Sequence, residues 1–448
     1  MNKKGIILFA TYLGLFANAV VYTIIIPFGS KMVSAFGMAN DRDSTGTWVG
    51  ILTFVLMFGR TIASPFWGII CDKWGRKPVM IVGTLSNVIL SIAFGFSSSF
   101  IWALLVRFFL GIMTPLTMVV KTLLSELCPG ESNAIAWQIV MWQMGLIGGN
   151  IIGGLLEDPK SSGLIKSGIF ADYPFLLPNF FAAIMSAVAL VLLIPFLEET
   201  LQKNNDDELS LSQGRSYWKI VTDPLVKRLV SVYFILSGNL TAFQELISLW
   251  CWASISKGGF EMNPSEIGMI LAISSAILLL FQKCSYNWLV ERSGLVSICS
   301  YSLLFSSPFL MIMPIASVFN EYLWLKWISL TCVCMAWYFI TFISNTSIMT
   351  ISNNSVISKE RGRMNGIFMS MGSLARSVSP LFFGFLFAKS IEIDWIFPFD
   401  YALSFYLMAI FSSIGWIICK QLPKTLNYPL ETVNSDKAYT ELARLNEN

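Results

Sequence analysis

The chain has 448 residues, of which 55% are hydrophobic and 13% are charged, whereas soluble domains carry about 25% charged residues. This composition excludes an ordinary soluble domain and predicts a membrane protein. The formal net charge of +3 is too small to indicate a nucleic-acid partner, and no basic stretch with interspersed aromatic residues appears outside the short loops.

The first apolar segment is too long for the core of a signal peptide, so we interpret it as a retained membrane helix. A membrane-spanning helix needs about 20 mostly apolar residues. Such runs recur near residues 5–28, 48–71, 78–97, 100–124, 134–156, 174–197, 229–254, 266–286, 296–318, 323–352, 364–388 and 398–420. The sequence therefore predicts an all-α membrane protein with twelve transmembrane helices, named spans 1 to 12 below.

A polar and charged segment at 198–228 divides the spans into two groups of six. We predict an N-terminal six-helix bundle at 1–197, a cytosolic linker at 198–228, a C-terminal six-helix bundle at 229–422 and a cytosolic tail at 423–448. Lys and Arg are concentrated in the loops on the side of both termini. This bias predicts that both termini are cytosolic.

The turn between spans 2 and 3 reads GIICDKWGRKP (68–78) and places four charges between two apolar runs. A glycine permits such a tight turn, an acid can face the positive N-terminal end of a helix, and the basic residues can anchor the turn at the membrane surface. The turn between spans 8 and 9, NWLVERSGLV (287–296), keeps an acid, a base and a glycine. This echo favours a duplicated architecture.

The first of these turns resembles the signature loop of the major facilitator superfamily, G-x-x-x-D-[RK]-x-G-R-[RK]. The matching residues are Gly68, Asp72, Lys73, Gly75, Arg76 and Lys77. The resemblance implies two pseudo-symmetric six-helix bundles, with this loop as a latch that joins the halves in one conformation and releases them in the other. It implies a transporter rather than an enzyme, and no cofactor.

Longer stretches are similar to the zinc-induced facilitator-like branch, whose more distant relatives include tetracycline-resistance-type proton antiporters. These stretches are GRTIASPFWGIICDKWGRKP, FADYPFLLPN (170–179) and NNSVISKERGRMNGIFMSMGSLARSVSPLFFGFLFA (353–388). The resemblance implies a monomeric secondary transporter that moves a small organic solute by proton-coupled antiport in a vacuolar, endolysosomal or plasma membrane. The alternatives are a facilitative or symporting carrier, or a receptor or scaffold of the same fold.

Proton coupling must use a carboxylate, because the chain has no histidine. Glu245 lies well inside span 7, where a carboxyl group typically serves a proton relay; the alternatives are a structural partnership with a buried arginine and a position nearer the outer surface. Arg107 in LLVRFFLGI (104–112) resembles the coupling arginine of the antiporter element R-x-x-x-G, with structural pairing to a buried polar group as the alternative. Lys121 and Glu126 could form a gate or coupling pair, or a snorkelling lysine and a solvated acid.

Span 5 contains GLIGGNIIGG (145–154), which resembles the antiporter motif G-x-x-x-G-P-x-x-G-G with Asn150 in the place of the proline. Small residues at this spacing allow close helix packing in either a coupled or an uncoupled carrier. The missing proline keeps the facilitative and symporting alternatives open. The packing glycines predicted here and in span 4 are Gly111, Gly145, Gly149, Gly153 and Gly154.

Polar and aromatic residues within the spans are candidates for a central substrate cavity, which spans 1, 4, 7 and 10 line in the superfamily. The candidates are Asn18, Tyr22, Arg60, Gln143, Asn150, Gln244, Trp337, Asn345 and Arg376. The two arginines recur in the related branch, and their role is either to line the cavity and bind an anion or to form structural pairs. The first role favours an organic anion or a metal chelate as substrate. A bare zinc ion is disfavoured, because histidine is absent and the cysteines lack ligand spacing.

Overall fold

The computed structural model describes residues 3–39, 42–114, 116–127, 132–160, 165, 167–200, 217–356, 360–393, 396, 398–428 and 430. Throughout these residues the regular secondary structure is helical. Spans 1 to 6 are the helices Lys3–Thr23, Gly46–Trp74, Arg76–Gly95, Phe100–Met113 with Leu116–Leu127, Ser132–Leu156 and Leu176–Phe196. Spans 7 to 12 are Pro224–Trp252, Pro264–Ser293, Leu295–Ile312, Leu323–Asn354, Arg361–Glu392 and Leu403–Lys420.

Short helices connect the spans at Gly29–Ala35, Asp43–Thr45, Ile169–Asp172, Tyr217–Thr222, Ile255–Lys257 and Met313–Glu321, and another short helix, Lys424–Asn427, follows span 12. Within the described residues, nine helices are long and apolar enough to cross a membrane, and two shorter apolar helices occur at Phe100–Met113 and Val140–Leu156. With the 30-residue helix Pro264–Ser293, helices occupy all twelve predicted positions. The predicted fold class is confirmed.

Two boundaries differ from the sequence prediction for local chemical reasons. Span 7 begins at Pro224, within the predicted linker, because the Asp223 side chain accepts a hydrogen bond from the Leu225 N–H at 2.9 Å and proline suits the first helical position. Span 4 consists of two helices, and the interruption falls at the sequence Thr114-Pro115, where proline supplies no N–H. The Thr114 hydroxyl donates to the Leu110 carbonyl of the preceding turn at 2.6 Å.

The echo between the two halves is visible in the turns before spans 3 and 9. Gly75 and Gly294 both have positive φ, at 102° and 77°, which glycine adopts without penalty. The Glu199 carboxylate, just after span 6, accepts hydrogen bonds from the N–H groups of Arg76 (2.8 Å) and Lys77 (3.2 Å). In the other half Asn427, just after span 12, accepts one from the Val296 N–H at 2.9 Å.

Replacing Glu199 with alanine should lower the melting temperature of the purified protein, because the first N–H groups of span 3 lose their acceptor. A lost cap of this kind costs about 0.5–2 kcal/mol. The matched control is Glu392→Ala, which breaks an exposed pair with Lys389 and should leave the melting temperature unchanged. Equal melting curves for the two variants would show that the Glu199 bonds do not stabilise the turn.

The two six-helix halves meet along spans 2 and 11 and along spans 5 and 8. We call the face that bears both termini the termini side and the opposite face the distal side. On the distal side one buried apolar cluster runs through both halves and includes Val20, Phe28, Trp250 and Phe260. On the termini side each half has a separate apolar cluster of its own. The apolar packing therefore joins the halves at the distal side.

Polar contacts reinforce this distal junction. The Asp43 carboxylate accepts hydrogen bonds from the N–H (2.9 Å) and hydroxyl (3.0 Å) of Ser254 in the opposite half. The Ser248 hydroxyl donates to the Ile26 carbonyl at 2.6 Å, and the Ser265 hydroxyl donates to the Gly154 carbonyl at 2.7 Å. These hydrogen bonds connect the two halves on the distal side, at the same depth as the shared apolar cluster.

Glycines allow the helix backbones to touch at this junction. A Cβ on Gly384 of span 11 would lie 2.6 Å from the Gly46 carbonyl oxygen of span 2, which is closer than atoms can pack. A Cβ on Gly268 of span 8 would lie 2.5 Å from the Asn150 carbonyl oxygen of span 5. The distal closure therefore depends on the absence of side chains at these positions.

The variant Gly384→Leu should open the distal side. Overpacking of this kind costs about 1–3 kcal/mol, which shifts a two-state population by about 5- to 150-fold. Spin labels at positions 160 and 261, exposed on the distal side of the two halves, would report longer distances. Gly366→Leu is the control on the same helix, because a Cβ there meets nothing within 4 Å. Identical distance distributions for the two variants would contradict the prediction.

Candidate functional site

A central cavity of about 290 Å³ lies between the halves, near the middle of the spans. Spans 1, 2, 4 and 5 of the first half and spans 7 and 11 of the second half line it. Its polar and aromatic lining includes Tyr22, Arg60, Trp67, Thr117, Trp142, Gln244 and Arg376. Both halves therefore contribute to one compartment, as a site that changes accessibility between them requires.

Span 2 supplies the largest share of this lining because of its helical periodicity. Met57, Arg60, Ser64 and Trp67 recur at intervals of three and four residues, which places them on one face of the helix. Thr53 lies one further turn toward the distal side on the same face. This stripe leads from the cavity to a second, smaller compartment.

Two arginines face the cavity, one from each half. The Arg60 guanidinium donates long hydrogen bonds of 3.4 Å to Asn18 Oδ1 and to the Thr117 hydroxyl. Arg376 donates from Nε to the Gly372 carbonyl of its own helix at 3.1 Å. Among the described residues that line this cavity none is acidic. The compartment therefore carries two positive charges without a carboxylate to balance them.

Asn18 holds Arg60 in place rather than contributing to the main cavity. Its Oδ1 accepts from Arg60, and its Nδ2 donates to Asn87 Oδ1 at 3.3 Å in the buried interior of the first half. Tyr22, one turn further along span 1, lines the cavity directly and stacks on Trp142 with ring centroids 6.3 Å apart. The two predicted residues of span 1 therefore have different positions relative to the site.

A second compartment adjoins the cavity on its distal side and contains Arg107 and Glu245. Its volume is about 10 Å³, which is the space of about one water molecule. Tyr22, Thr241 and Gln244 line both compartments and separate them. The structure thus brings two of the predicted proton-coupling residues next to the predicted substrate residues.

Glu245 links the two halves at this second compartment. Its side chain is buried, and its Oε2 accepts a hydrogen bond from the Thr53 hydroxyl of the opposite half at 3.0 Å. Its other oxygen has no hydrogen-bond partner among the described residues. A buried carboxylate with one free oxygen is an unusual and costly arrangement in a membrane interior.

Arg107 is also buried and incompletely hydrogen-bonded. Its guanidinium lies 4.9 Å from the centre of the Phe94 ring, and its Nε and Nη2 atoms have no hydrogen-bond partner in the described part of the chain. No direct ion pair within 4.0 Å joins Arg107 to Glu245, both of which are described. Their facing polar atoms can be bridged by a water in the compartment between them.

The turn at 68–78 forms a cluster of charged groups on the termini side. Arg76 pairs with Glu126 (Nη2 to Oε1, 2.9 Å) and donates to the Cys71 carbonyl at 3.0 Å. Glu126 also accepts from the Thr200 hydroxyl. Lys73 is exposed and Lys77 is half-buried. The Asp72 side chain lies outside the described residues, so its predicted latch contact stays a prediction, as does the predicted latch role of Gly68.

Glu126 and Lys121 are not brought together as a pair. Glu126 belongs to the cluster around Arg76, whereas Lys121 is exposed, and no ion pair connects these two described side chains. The structure therefore favours a structural role for Glu126 in fixing the turn. Lys121 lies nearer to Tyr233 of span 7, in the other half.

Besides Asn18, four of the candidate cavity residues lie outside the lining of the central cavity. Asn150 is buried at the contact between spans 5 and 8, and Trp337 is buried against Phe243 with ring centroids 4.9 Å apart. Asn345 donates to the Thr341 carbonyl of its own helix at 3.0 Å, and Gln143 is half-buried outside the cavity lining. Span 10 therefore contributes none of the described lining of this cavity, whereas spans 2, 5 and 11 do.

The predicted packing glycines lie at close helix contacts. A Cβ on Gly145 would lie 2.5 Å from the Phe16 carbonyl oxygen, and Cβ atoms on Gly149 and Gly153 would also strike span 1. A Cβ on Gly154 would lie 2.7 Å from the Pro264 carbonyl oxygen of span 8, and one on Gly111 would strike the Leu56 carbonyl of span 2. This geometry agrees with the packing role expected from the sequence.

Sequence reasoning did not single out Thr53, Trp67, Trp142 or Thr241. Thr53 and Trp67 lie seven residues before and after Arg60, so the helical period around a membrane arginine could have identified them. Trp142 and Thr241 carry no comparable signal, because aromatic and hydroxyl residues are common in membrane helices. Their position at the cavity follows from the packing of spans 5 and 7.

In the described part of the chain, twelve helical spans surround a central cavity that two arginines face, and this arrangement defines a membrane transporter of small solutes. The family described as the Major Facilitator Superfamily matches residues 11–380. The chain therefore belongs to the major facilitator superfamily.

Relatives of known name support this assignment. A probable peptide/nitrate transporter of Arabidopsis thaliana is 30% identical over 83% of this chain and 81% of its own length. Protein ZINC INDUCED FACILITATOR 1 of the same plant is 29% identical over 81% of this chain and 80% of its own length. The structure of a bacterial homologue of the human lysosomal transporter Spinster, inward-facing and occupied, has a TM-score of 0.69 at 15% identity, covering 94% and 97% of the two chains.

Proposed function

We propose that the protein is a proton-coupled antiporter of small organic anions, including anionic metal chelates. The observation that carries this proposal is the pair of arginines, Arg60 and Arg376, that face one cavity from opposite halves without an acidic neighbour in the described lining. Two uncompensated guanidinium groups attract carboxylate or phosphate groups and can bind each through two hydrogen bonds. Tyr22, Trp67 and Trp142 supply aromatic surface for the organic part of the solute.

The coupling group in this proposal is Glu245. It adjoins the anion cavity through Tyr22, Thr241 and Gln244, and its carboxylate accepts a hydrogen bond from Thr53 of the other half. Protonation removes the negative charge that this bond and nearby Arg107 stabilise, so it weakens one connection across the distal junction. Opening of the distal side then depends on the proton that Glu245 carries.

The structure supports alternating access with the termini side open. The apolar clusters and the polar bonds join the halves on the distal side, whereas each half has its own cluster on the termini side. With both termini in the cytosol, this arrangement is an inward-facing conformation. The relative named a probable peptide/nitrate transporter supports a small anion as cargo. The resemblance to the zinc-induced facilitator-like branch favours a vacuolar, endolysosomal or plasma membrane as the location.

The experiment that tests the function uses purified protein in liposomes with an acidic interior. A panel of organic anions, amines and metal chelates is added outside while the internal pH is followed. Antiport predicts that a transported anion raises the internal pH as it enters. A fall in internal pH would indicate symport, and solute uptake without a pH change would indicate a facilitative carrier. Absence of uptake across the panel would favour a receptor or scaffold.

A further inference from the structure

An apolar groove of about 430 Å³ lies on the outer surface of the first half, between spans 2, 3 and 4. Its lining includes Ile62, Phe66, Ile70, Trp74 and Val82, with no charged residue among the described lining. Phe66 is 63% exposed and Trp74 is 69% exposed. In a bilayer these side chains face lipid, so the groove is open to the hydrocarbon interior.

The groove adjoins the central cavity. Ala63 and Trp67 line both spaces, and they are the partition between them. On span 2 the residues that face the cavity and the residues that face the groove form two adjacent stripes, with Ala63 and Trp67 at their border. A molecule in the groove is therefore separated from the cavity, and from Arg60, only by the Trp67 ring and the Ala63 methyl group.

Trp67 is held in its position by the interruption of span 4. The first helix of span 4 ends at Met113, and the last carbonyls of a helix lack partners within the helix. The Trp67 indole N–H donates to one of them, the Ile112 carbonyl, at 2.6 Å. A single hydrogen bond of this kind is weak, so this bond alone does not prevent the ring from moving aside.

We propose that the groove binds the hydrocarbon tail of an amphiphilic organic anion whose head group binds in the cavity, with Trp67 as the movable partition between tail and head. This inference rests on the proposed function, because it takes the anion cavity as the head-group site. Residues 62 to 74 extend about 18 Å along the helix, against about 15 Å for half of the hydrocarbon core. The groove therefore runs from the level of the cavity to the membrane surface, as a tail that arrives from the lipid requires.

Binding of two malonates to the protein in nanodiscs tests this proposal, because 2-dodecylmalonate and 2-methylmalonate share one dianionic head and differ in the tail. Val82→Trp, which fills the groove, should weaken dodecylmalonate binding about 10-fold or more and leave methylmalonate binding unchanged. Val191→Trp is the control, since Val191 is 68% exposed on span 6 away from the groove. Trp67→Phe keeps an aromatic ring, smaller than the indole, and loses the N–H, so it should accelerate dodecylmalonate exchange several-fold.

Equal dodecylmalonate affinity in the Val82→Trp and Val191→Trp proteins would overturn the inference. A photoreactive dodecylmalonate that labels the groove equally in the wild type and in Arg60→Gln would also overturn it, because the groove would then hold a lipid independently of the cavity. If the binding of neither malonate depends on Arg60, the proposal that the cavity binds anions is wrong. If methylmalonate binding depends on Arg60 but the dodecyl tail adds no affinity, only the proposal that the groove binds the tail is wrong.

Discussion

Glu245→Gln is expected to abolish proton movement in response to a transported anion, while the protein still inserts into the membrane and binds the anion. Glutamine keeps the size and the hydrogen-bonding shape of the side chain, so the bond from the Thr53 hydroxyl can form as it does to the carboxylate. It cannot, however, gain or lose a proton in the physiological range. The distal junction then loses the step that couples its opening to protons.

Internal pH in liposomes and equilibrium binding, measured on the same preparation, separate coupling from binding. Thr53→Val removes the hydroxyl that bonds to Glu245 and should slow coupled transport less severely, because the titrating carboxyl group remains. Glu392→Gln, at an exposed carboxylate paired with Lys389, is the control and should transport like the wild type. Undiminished proton movement in the Glu245→Gln protein would show that a group other than Glu245 couples transport to protons.

Arg376→Gln and Arg60→Gln are each expected to weaken anion binding about 10- to 150-fold, because a hydrogen bond to a charged group contributes about 1.5–3 kcal/mol. Lysine at either position should restore part of the affinity, since it keeps the charge but not the two-pronged geometry of the guanidinium. Isothermal titration with the anion identified in the liposome panel measures the effect. The double variant should bind no anion measurably.

Arg292→Gln provides the control for charge alone. Arg292 lies over the Trp288 ring near the end of span 8, away from the cavity, so its loss changes the net charge without changing the site. Its affinity should equal that of the wild type. If all three single variants lose affinity to the same extent, the effect is a general electrostatic one and the cavity arginines do not form the site.

The architecture was predictable from the sequence because its signals are strong and local. Apolar runs of about 20 residues, a polar interruption after the sixth and the turn at 68–78 together specify twelve spans in two halves. The break in span 4 was not predicted, because Pro115 lies within an otherwise continuous apolar run. The earlier start of span 7 depends on the Asp223 cap, which hydropathy does not register.

The site was predictable only in part, because helix rotation and packing decide which residues face the cavity. Arg60, Arg376, Glu245 and Arg107 were identifiable, since charges in a membrane interior are costly and turn toward a cavity or a partner. Trp337 and Asn345 were expected from the lining role of span 10, but Trp337 packs against Phe243 of span 7 and Asn345 donates to a carbonyl of its own helix. An uncharged residue carries no such cost, so its orientation depends on neighbours that are distant in the sequence.

The paired caps of Glu199 and Asn427 have a consequence for dissecting the molecule. In each half, the residue that caps the N-terminus of the third helix, span 3 or span 9, lies after the last span of that half. A fragment that stops at the end of that last span therefore lacks the cap. Asn354 also donates to the Leu426 carbonyl at 3.0 Å, which fastens the same stretch to span 10. A fragment made to study the second half alone must therefore extend through Asn427, and a deletion that starts at position 423 would strip the cap from span 9.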